Sequence, residues 1–484
     1  MKNISRIHCK LVVVLCLLIF PVIGRSAGNI TLAKQVKAGI GDSTLPAEIQ
    51  RQLAGSELNL YYPNSVKRFY RKNDFVSPWI KKQSGTGNTW QAMLMIDCVL
   101  QFGLSHDDYH PRDLIYSELH DILEKPGTIS VQKQARFDIM LTDAMLNFIN
   151  NLHFGKLNPD FPPQTIDNAL TGFHAEVALA DALSGSDFMT TISNVQPRSK
   201  EYIDMQEHMR QWTGQYTGDC YEVPESAIRK LAINMERLRW ASIDSGAYIQ
   251  INIPSYTLNL YEADSIYNFK VIVGKPEDPS PTLQSQISYF TTAPEWKVPN
   301  KIFRKEMLRE ALADSSYLEN NHYALYDNNG NYITPTADNL LLIRQDAGRY
   351  HATQSAGCDN ALGSVVFRFP NIYDVYLHDT PEQQLFKKDE RDYSHGCIRV
   401  EHAENLATLL LKYDNAADKI PALHKAIKKY KTLNFNLNKP VPIKITYLTC
   451  IVKKGEVLDY KDIYDLDNRL EMVFYNVTQQ FANR

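Results

Sequence analysis

A one-sided charge, an internal repeat and a low-complexity tract are all missing from this chain of 484 residues. Each absence narrows what it can be. Lys and Arg number 52 against 55 Asp and Glu, a net charge of −3 with no long basic run to neutralise phosphates, so nucleic acid is not expected as a partner. Hydrophobic residues make up 44% and charged residues 22%, so the low-hydrophobicity, high-charge signature of disorder is absent. The length fits two or three domains of roughly 150 residues. The apolar run from Leu11 to Ile23 is broken by Pro21 and holds thirteen residues, where a spanning helix needs about 20. It follows Lys2, Arg6 and Lys10 and precedes the small residues Gly24, Ser26, Ala27 and Gly28, which reads as a secretory leader over residues 1–27. Left uncleaved, this segment would be the chain's only membrane contact. Cys16 lies inside the run rather than after the small residues, which disfavours lipidation.

Cysteine is scarce. Removal of the leader takes away Cys9 and Cys16 and four basic residues, leaving 48 bases against 55 acids and five thiols: Cys98, Cys220, Cys358, Cys397 and Cys450. Five is odd, so one thiol stays unpaired, as a buried group, an intermolecular partner or a reactive nucleophile.

From Phe137, apolar residues at Met140, Leu141, Ala144, Met145, Phe148, Ile149 and Leu152 form one face of a long amphipathic helix. Similar spacing around Met93–Leu104 and Tyr202–Met209, punctuated by prolines, predicts a helical domain over residues 45–213. A linker and connecting helix over 214–245 follows, including Asn234–Trp240. The period then changes to two: Ile249, Ile251 and Ile253 alternate with polar neighbours, as do Tyr256, Leu258 and Leu260, and the run Ile266–Val273 comes after a turn. Consecutive antiparallel strands are expected there. Further strands are expected at Val365–Phe369, Tyr373–His378 and Val441–Val452, and helices at Arg304–Ala313 and Glu401–Tyr413. The fold class is α+β, with the mainly β domain over 247–470.

The chemistry is concentrated in Tyr376-Leu377-His378-Asp379-Thr380-Pro381 and, after a loop, Ser394-His395-Gly396-Cys397-Ile398-Arg399. A strand ending in His378 brings an imidazole to the sheet edge, and the returning chain can lay Cys397 beside it. An ordinary thiol is mostly protonated at pH 7; a neighbouring imidazole can take its proton and deliver it to a leaving amine. Gly396 permits close backbone approach, and the amides near Cys397 are candidates for an oxyanion hole. Arg399 suits a substrate carboxylate. Alone, Cys397 would read as a disulfide partner or buried thiol. His378, His395 and Cys397 could ligate zinc, but no Cys-x-x-Cys or His-Glu-x-x-His spacing supplies the usual partners, so no metal is expected. The His precedes the Cys by 19 residues, the reverse of the papain-like order.

This stretch resembles the L,D-transpeptidases of bacterial cell walls, the family with the YkuD-like catalytic domain. Segments Tyr376–Pro381, Asn360–Gly363, Trp296–Pro299, Asn234–Trp240, Phe69–Trp79 and Phe154–Pro159 resemble its large periplasmic branch. The resemblance implies a helical scaffold domain, then a mixed-β catalytic domain with a substrate cap inserted at 292–350. It implies that Cys397 attacks the carbonyl between the third and fourth residues of a tetrapeptide stem, with His378 as general base. D-Ala leaves, and the side-chain amine of a second stem takes the acyl group as a 3→3 cross-link. His395 and Gly396 belong to the catalytic set, His395 in a supporting role. Ser394, Tyr376, Asn360, Gly363 and Trp296 are expected beside Arg399 on the substrate-binding side. No cofactor is needed, the partners are peptidoglycan stems, carbapenems are expected to acylate the Cys, and the location is the periplasm in contact with the wall. Two departures are visible. Only residues of about 214–230 stand where large relatives carry a three-helix peptidoglycan-binding module, and residues 346–359, with Cys358, form an insertion expected to lengthen a lid rim over the cleft. The same thiol chemistry would also serve an L,D-carboxypeptidase, an endopeptidase or a protein-attaching enzyme, and oxidation of Cys397 would leave a wall-binding scaffold.

Overall fold

A computed structural model describes residues 44–475, apart from 81–86, 126, 215–223, 242, 244–245, 264 and 315. The leader at 1–27 and Cys220 lie outside the described residues. Among those described, no helix is long and apolar enough to cross a membrane.

The helix Val131–His153 starts where Ser130 caps it and is the axis of the helical half. It is buried on nearly every side, not on one face as its periodicity predicts, because its polar residues also have partners. Asp138 accepts from the hydroxyls of Tyr70 (2.6 Å) and Ser77. Asp143 accepts from the amides of Tyr61 and Tyr62 at 2.8 and 2.9 Å, and Asn147 donates to the Asp108 carbonyl at 2.7 Å. Each bond ties a surrounding segment to the axis.

The helix Glu225–Arg239 joins the halves. Met235 and Leu238 pack with Tyr202, Met205 and Met209 of the helix Lys200–Thr213 and with Cys450 and Val452 of the β half. Its buried Glu236 accepts from the Leu157 amide at 2.6 Å and the Trp240 indole at 2.9 Å, and Arg239 reaches the Phe102 carbonyl at 2.5 Å. Asn234 accepts from the Thr449 amide at 2.9 Å. Chain beyond the β half returns as the helix Asp467–Phe474, and Phe474 is buried in the helical core.

The β half is built on a nine-stranded sheet. Its strands are β1 (Tyr248–Asn252), β2 (Thr257–Glu262), β3 (Ser265–Gly274), β4 (Leu283–Thr292), β9 (Val365–Arg368), β10 (Leu377–His378), β11 (Asp392–Ser394), β12 (Ile398–Val400) and β13 (Leu433–Thr446), in the order 11-3-12-10-9-4-13-1-2. The first three pair antiparallel as the alternation predicts, while β1 with β13, β10 with β12 and β11 with β3 pair parallel, so the sheet is mixed. One face packs on the helices Ala403–Tyr413 and Ile420–Lys428. The expected strand at Tyr373–His378 shrinks to two residues, since Ile372 and Tyr373 stand on an exposed loop and Asp374 turns left-handed at φ 56°. Val441–Val452 splits into the end of β13 and a separate strand β14 (Cys450–Lys453), which pairs with β15 (Glu456–Asp459).

Between β4 and β9 a second sheet, β5 (Trp296–Lys297), β6 (Tyr323–Asp327), β7 (Tyr332–Ile333) and β8 (Tyr350–Gln354), in the order 5-8-6-7, packs its own small core with Phe303, Met307, Leu318 and Leu340. This insert reaches Gln354. Of the expected lid rim at 346–359, the stretch Tyr350–Gln354 is instead β8, a central strand of the insert, whose alternation of half-buried and buried residues locks it to both neighbours.

Candidate active site

Register puts the signature side chains on one face. In the sheet His378 pairs with Arg399 on β12 and with Val366 on β9, while Leu377 pairs with Ile398 and Phe367. Leu377, Ile398 and Phe367 all point into the core, so by the two-residue period His378, Arg399 and Arg368 project from the other face. Tyr376 and Cys397 come immediately before their strands, tied by a bond from the Ile398 amide to the Tyr376 carbonyl at 3.1 Å. The structure thus brings His378, Tyr376, Cys397 and Arg399 together on adjacent parallel strands.

Tyr376 packs against the imidazole. Its ring lies 5.7 Å from that of His378, and its backbone and hydroxyl pull the Cys397 pKa down against the burial that raises it. The Trp296 side chain, from β5 of the insert, opposes the burial that raises the Tyr376 phenol, and the Arg368 guanidinium stacks on the ring at 4.7 Å. Arg368 was not singled out in the sequence. The signal for it was a cation in an otherwise apolar strand.

His378 is buried, and its Nδ1 lies 2.5 Å from the Asp379 carbonyl. A carbonyl can only accept, so Nδ1 carries the proton and Nε2 is left as a bare acceptor. Burial, with help from the Arg399 and Arg368 charges, lowers its pKa to about 3. Burial likewise raises the Cys397 thiol above its usual value, against the opposing pull of Tyr376, Arg368 and Arg399. The resting pair is therefore neutral thiol and neutral imidazole. In consequence, alkylation of Cys397 by iodoacetamide is expected to climb with pH through 9 and beyond, because only the thiolate reacts. Peptide mapping by mass spectrometry reads this directly; a plateau already reached below pH 7 would mean a preformed thiolate and imidazolium.

Three residues expected on the substrate side serve the backbone instead. Asn360 is fully buried; its amide donates to the carbonyls of Ser355 (2.8 Å) and Pro294 (3.1 Å), and its oxygen accepts from the Leu362 amide at 2.8 Å. Gly363 sits at φ 61°, and a Cβ there would come within 2.6 Å of the Asp379 carboxylate. That carboxylate instead closes on the Ser364 amide (2.8 Å) and hydroxyl (2.7 Å), which fixes the carbonyl that holds His378. Ser394 is buried, donates to the Cys397 carbonyl at 2.5 Å and accepts from the Gly396 amide at 3.2 Å.

Gly396 lies at φ 105°, and its carbonyl accepts from Ser280 Oγ at 2.7 Å. Because the Gly396 and Ile398 amides are both occupied, the expected oxyanion hole narrows to the Cys397 amide. Arg399 is not free either: its Nη1 lies 2.5 Å from Glu382 Oε2. A substrate carboxylate would have to displace Glu382 or use Arg368. His395 turns away toward the insert, with Nε2 2.7 Å from Glu306 Oε1.

Cys98, Cys358, Cys397 and Cys450 are all free thiols, Cys450 buried and Cys358 exposed. Among the described residues no cluster of His, Cys, Asp and Glu could hold a metal ion.

Residues 246–441 match the L,D-transpeptidase catalytic domain, YkuD, and residues 64–209 match the Scaffold domain. A curated protein of Haemophilus influenzae described as a putative L,D-transpeptidase is 32% identical over 249 residues, 51% of this chain and 50% of that protein. The chain thus spans about half the length of the curated relative it matches. Residues 246–441, which hold the histidine strand and the signature turn, thus carry a region similar to the L,D-transpeptidase catalytic domain, behind a region at 64–209 similar to the Scaffold domain.

Proposed function

We propose that the protein is a peptidoglycan L,D-transpeptidase that forms 3→3 cross-links through a thioester on Cys397. The observation that carries the reading is the shared sheet face on which His378, with Nε2 bare, stands one strand from Cys397. His378 takes the thiol proton as sulfur attacks the stem carbonyl, so charge never has to rest on a buried sulfur before the bond forms. The Cys397 amide faces the developing oxyanion, and Arg368 receives a stem carboxylate. The proton held by His378 passes to the departing D-Ala amine. Acyl transfer to the side-chain amine of a second stem then regenerates the thiol, and the proposed reaction uses no cofactor. Residues 1–27, as an export signal, would deliver the enzyme to the periplasm, and residues 296–354 would act as the cap over the donor stem.

The test is product analysis. Tetrapeptide stems incubated with the protein should yield a dimer lighter than two stems by one alanine residue and one water, with the linkage between two third-position residues by fragmentation. Free tripeptide without dimer would identify a carboxypeptidase instead.

A further inference from the structure

Sheet order places an imidazole on either side of Cys397. His378 stands on β10, to one side of β12; His395 follows β11, which pairs with β3 on the other side. His395 Nε2 lies 2.7 Å from Glu306 Oε1 and 3.3 Å from Lys275 Nζ. Lys275 is itself 3.9 Å from the same Glu306 oxygen and 3.6 Å from Asp278, whose other oxygen holds Lys301. One nitrogen thus faces an ammonium and a carboxylate at once. Unprotonated, Nε2 accepts from Lys275; protonated, it donates to Glu306. Both forms have a partner in place. Glu306 stands on a π-helical turn, Phe303–Met307, inside the first helix of the insert. Such turns are rare and occur frequently at functional sites.

Acyl transfer leaves one proton unassigned. The acceptor amine arrives as an ammonium and cannot attack until it loses a proton, while His378 is needed for the proton released as the amide forms. We propose that Glu306 is a positioning residue that holds His395 as the proton acceptor for the incoming ammonium, on the side of Cys397 opposite His378. The inference rests on the transpeptidase reading. The first proton moves from the ammonium to His395 Nε2, and Glu306 stabilises the imidazolium. The neutral amine attacks the thioester carbonyl; the C–N bond forms, the C–S bond breaks, and the second amine proton passes through His378 to the Cys397 sulfur. His395 then releases its proton to water, restoring its contact with Lys275.

The experiment separates the two half-reactions in the purified protein. Appearance of the acyl-enzyme from a tetrapeptide donor is followed by intact mass, and its decay is followed with two acceptors: a stem amine, and hydroxylamine, which is already neutral at pH 7. Glu306→Gln is expected to slow transfer to the stem amine about ten-fold more than it slows acylation, a part of what general acid–base catalysis contributes. Transfer to hydroxylamine should show no such excess, Glu306→Asp should recover part of the loss, and raising the pH toward the amine's own ionisation should close the gap. Equal losses with both acceptors, or a loss confined to acylation, would overturn the proposal and leave Glu306 a structural contact. A wild type that forms no acyl-enzyme would overturn the transpeptidase reading as well, whereas one that acylates beside a variant with unchanged transfer overturns this inference alone.

Discussion

Cys397→Ala is expected to abolish every covalent step. Incubated with a tetrapeptide stem or a carbapenem, the wild-type protein should gain the mass of the acyl group, and the variant should gain nothing. The effect is large because no other group in the turn is a nucleophile: Ser394 Oγ is committed to the Cys397 carbonyl, and His395 to Glu306. Loss of one sulfur at a half-buried position removes little apolar contact, so the variant should keep its melting temperature, and an unchanged thermal transition separates lost chemistry from lost fold. Cys358 is the internal control, an exposed free thiol. An adduct surviving in the variant would move the nucleophile elsewhere and sink the assignment.

For His378→Gln, acylation should slow by about two to four orders of magnitude, the usual worth of a positioned general base. The glutamine amide can replace Nδ1–H in donating to the Asp379 carbonyl, so the local backbone survives. It cannot take the thiol proton. His395→Ser should cost acylation far less, since its imidazole is held by Glu306 of the insert. Single-turnover acylation followed by intact mass compares the two, and equal losses would contradict the choice of base. With the His378 pKa near 3, the wild-type acylation profile should show no histidine limb between pH 5 and 8. The same depression makes the native state acid-sensitive: the unfolded chain binds this proton first, so stability falls as pH drops from about 6.5 toward 3.

Much of the site was legible because its parts are close in the chain. A Cys, a His 19 residues earlier and a Gly between them describe a thiol, a base and a turn, and a local motif needs only local sequence to be seen. Roles that depend on distant partners were not legible. Asn360, Gly363 and Ser394 looked like substrate contacts, but their hydrogen bonds and close approaches go to backbone and to Asp379. Arg399 looked like a free cation until Glu382 closed on it. The long helix is buried all round for the same reason: Asp138 and Asp143 look solvent-facing until Tyr70, Ser77 and the Tyr61–Tyr62 amides surround them.

The sequence by itself determined which groups could do chemistry, which halves are helical and which are sheet, and that Cys397 and His378 are candidates for one reaction. Composition and periodicity are properties of a segment, and a segment carries them wherever it goes. Tertiary structure alone decided that the Tyr376 ring lies beside His378, that Glu382 closes on Arg399 while Arg368 stacks on Tyr376, that burial favours the neutral forms of Cys397 and His378, and that Glu306 crosses from the insert to His395. Those are consequences of burial and of pairing between strands, which exist only once the sheet has set its order and register.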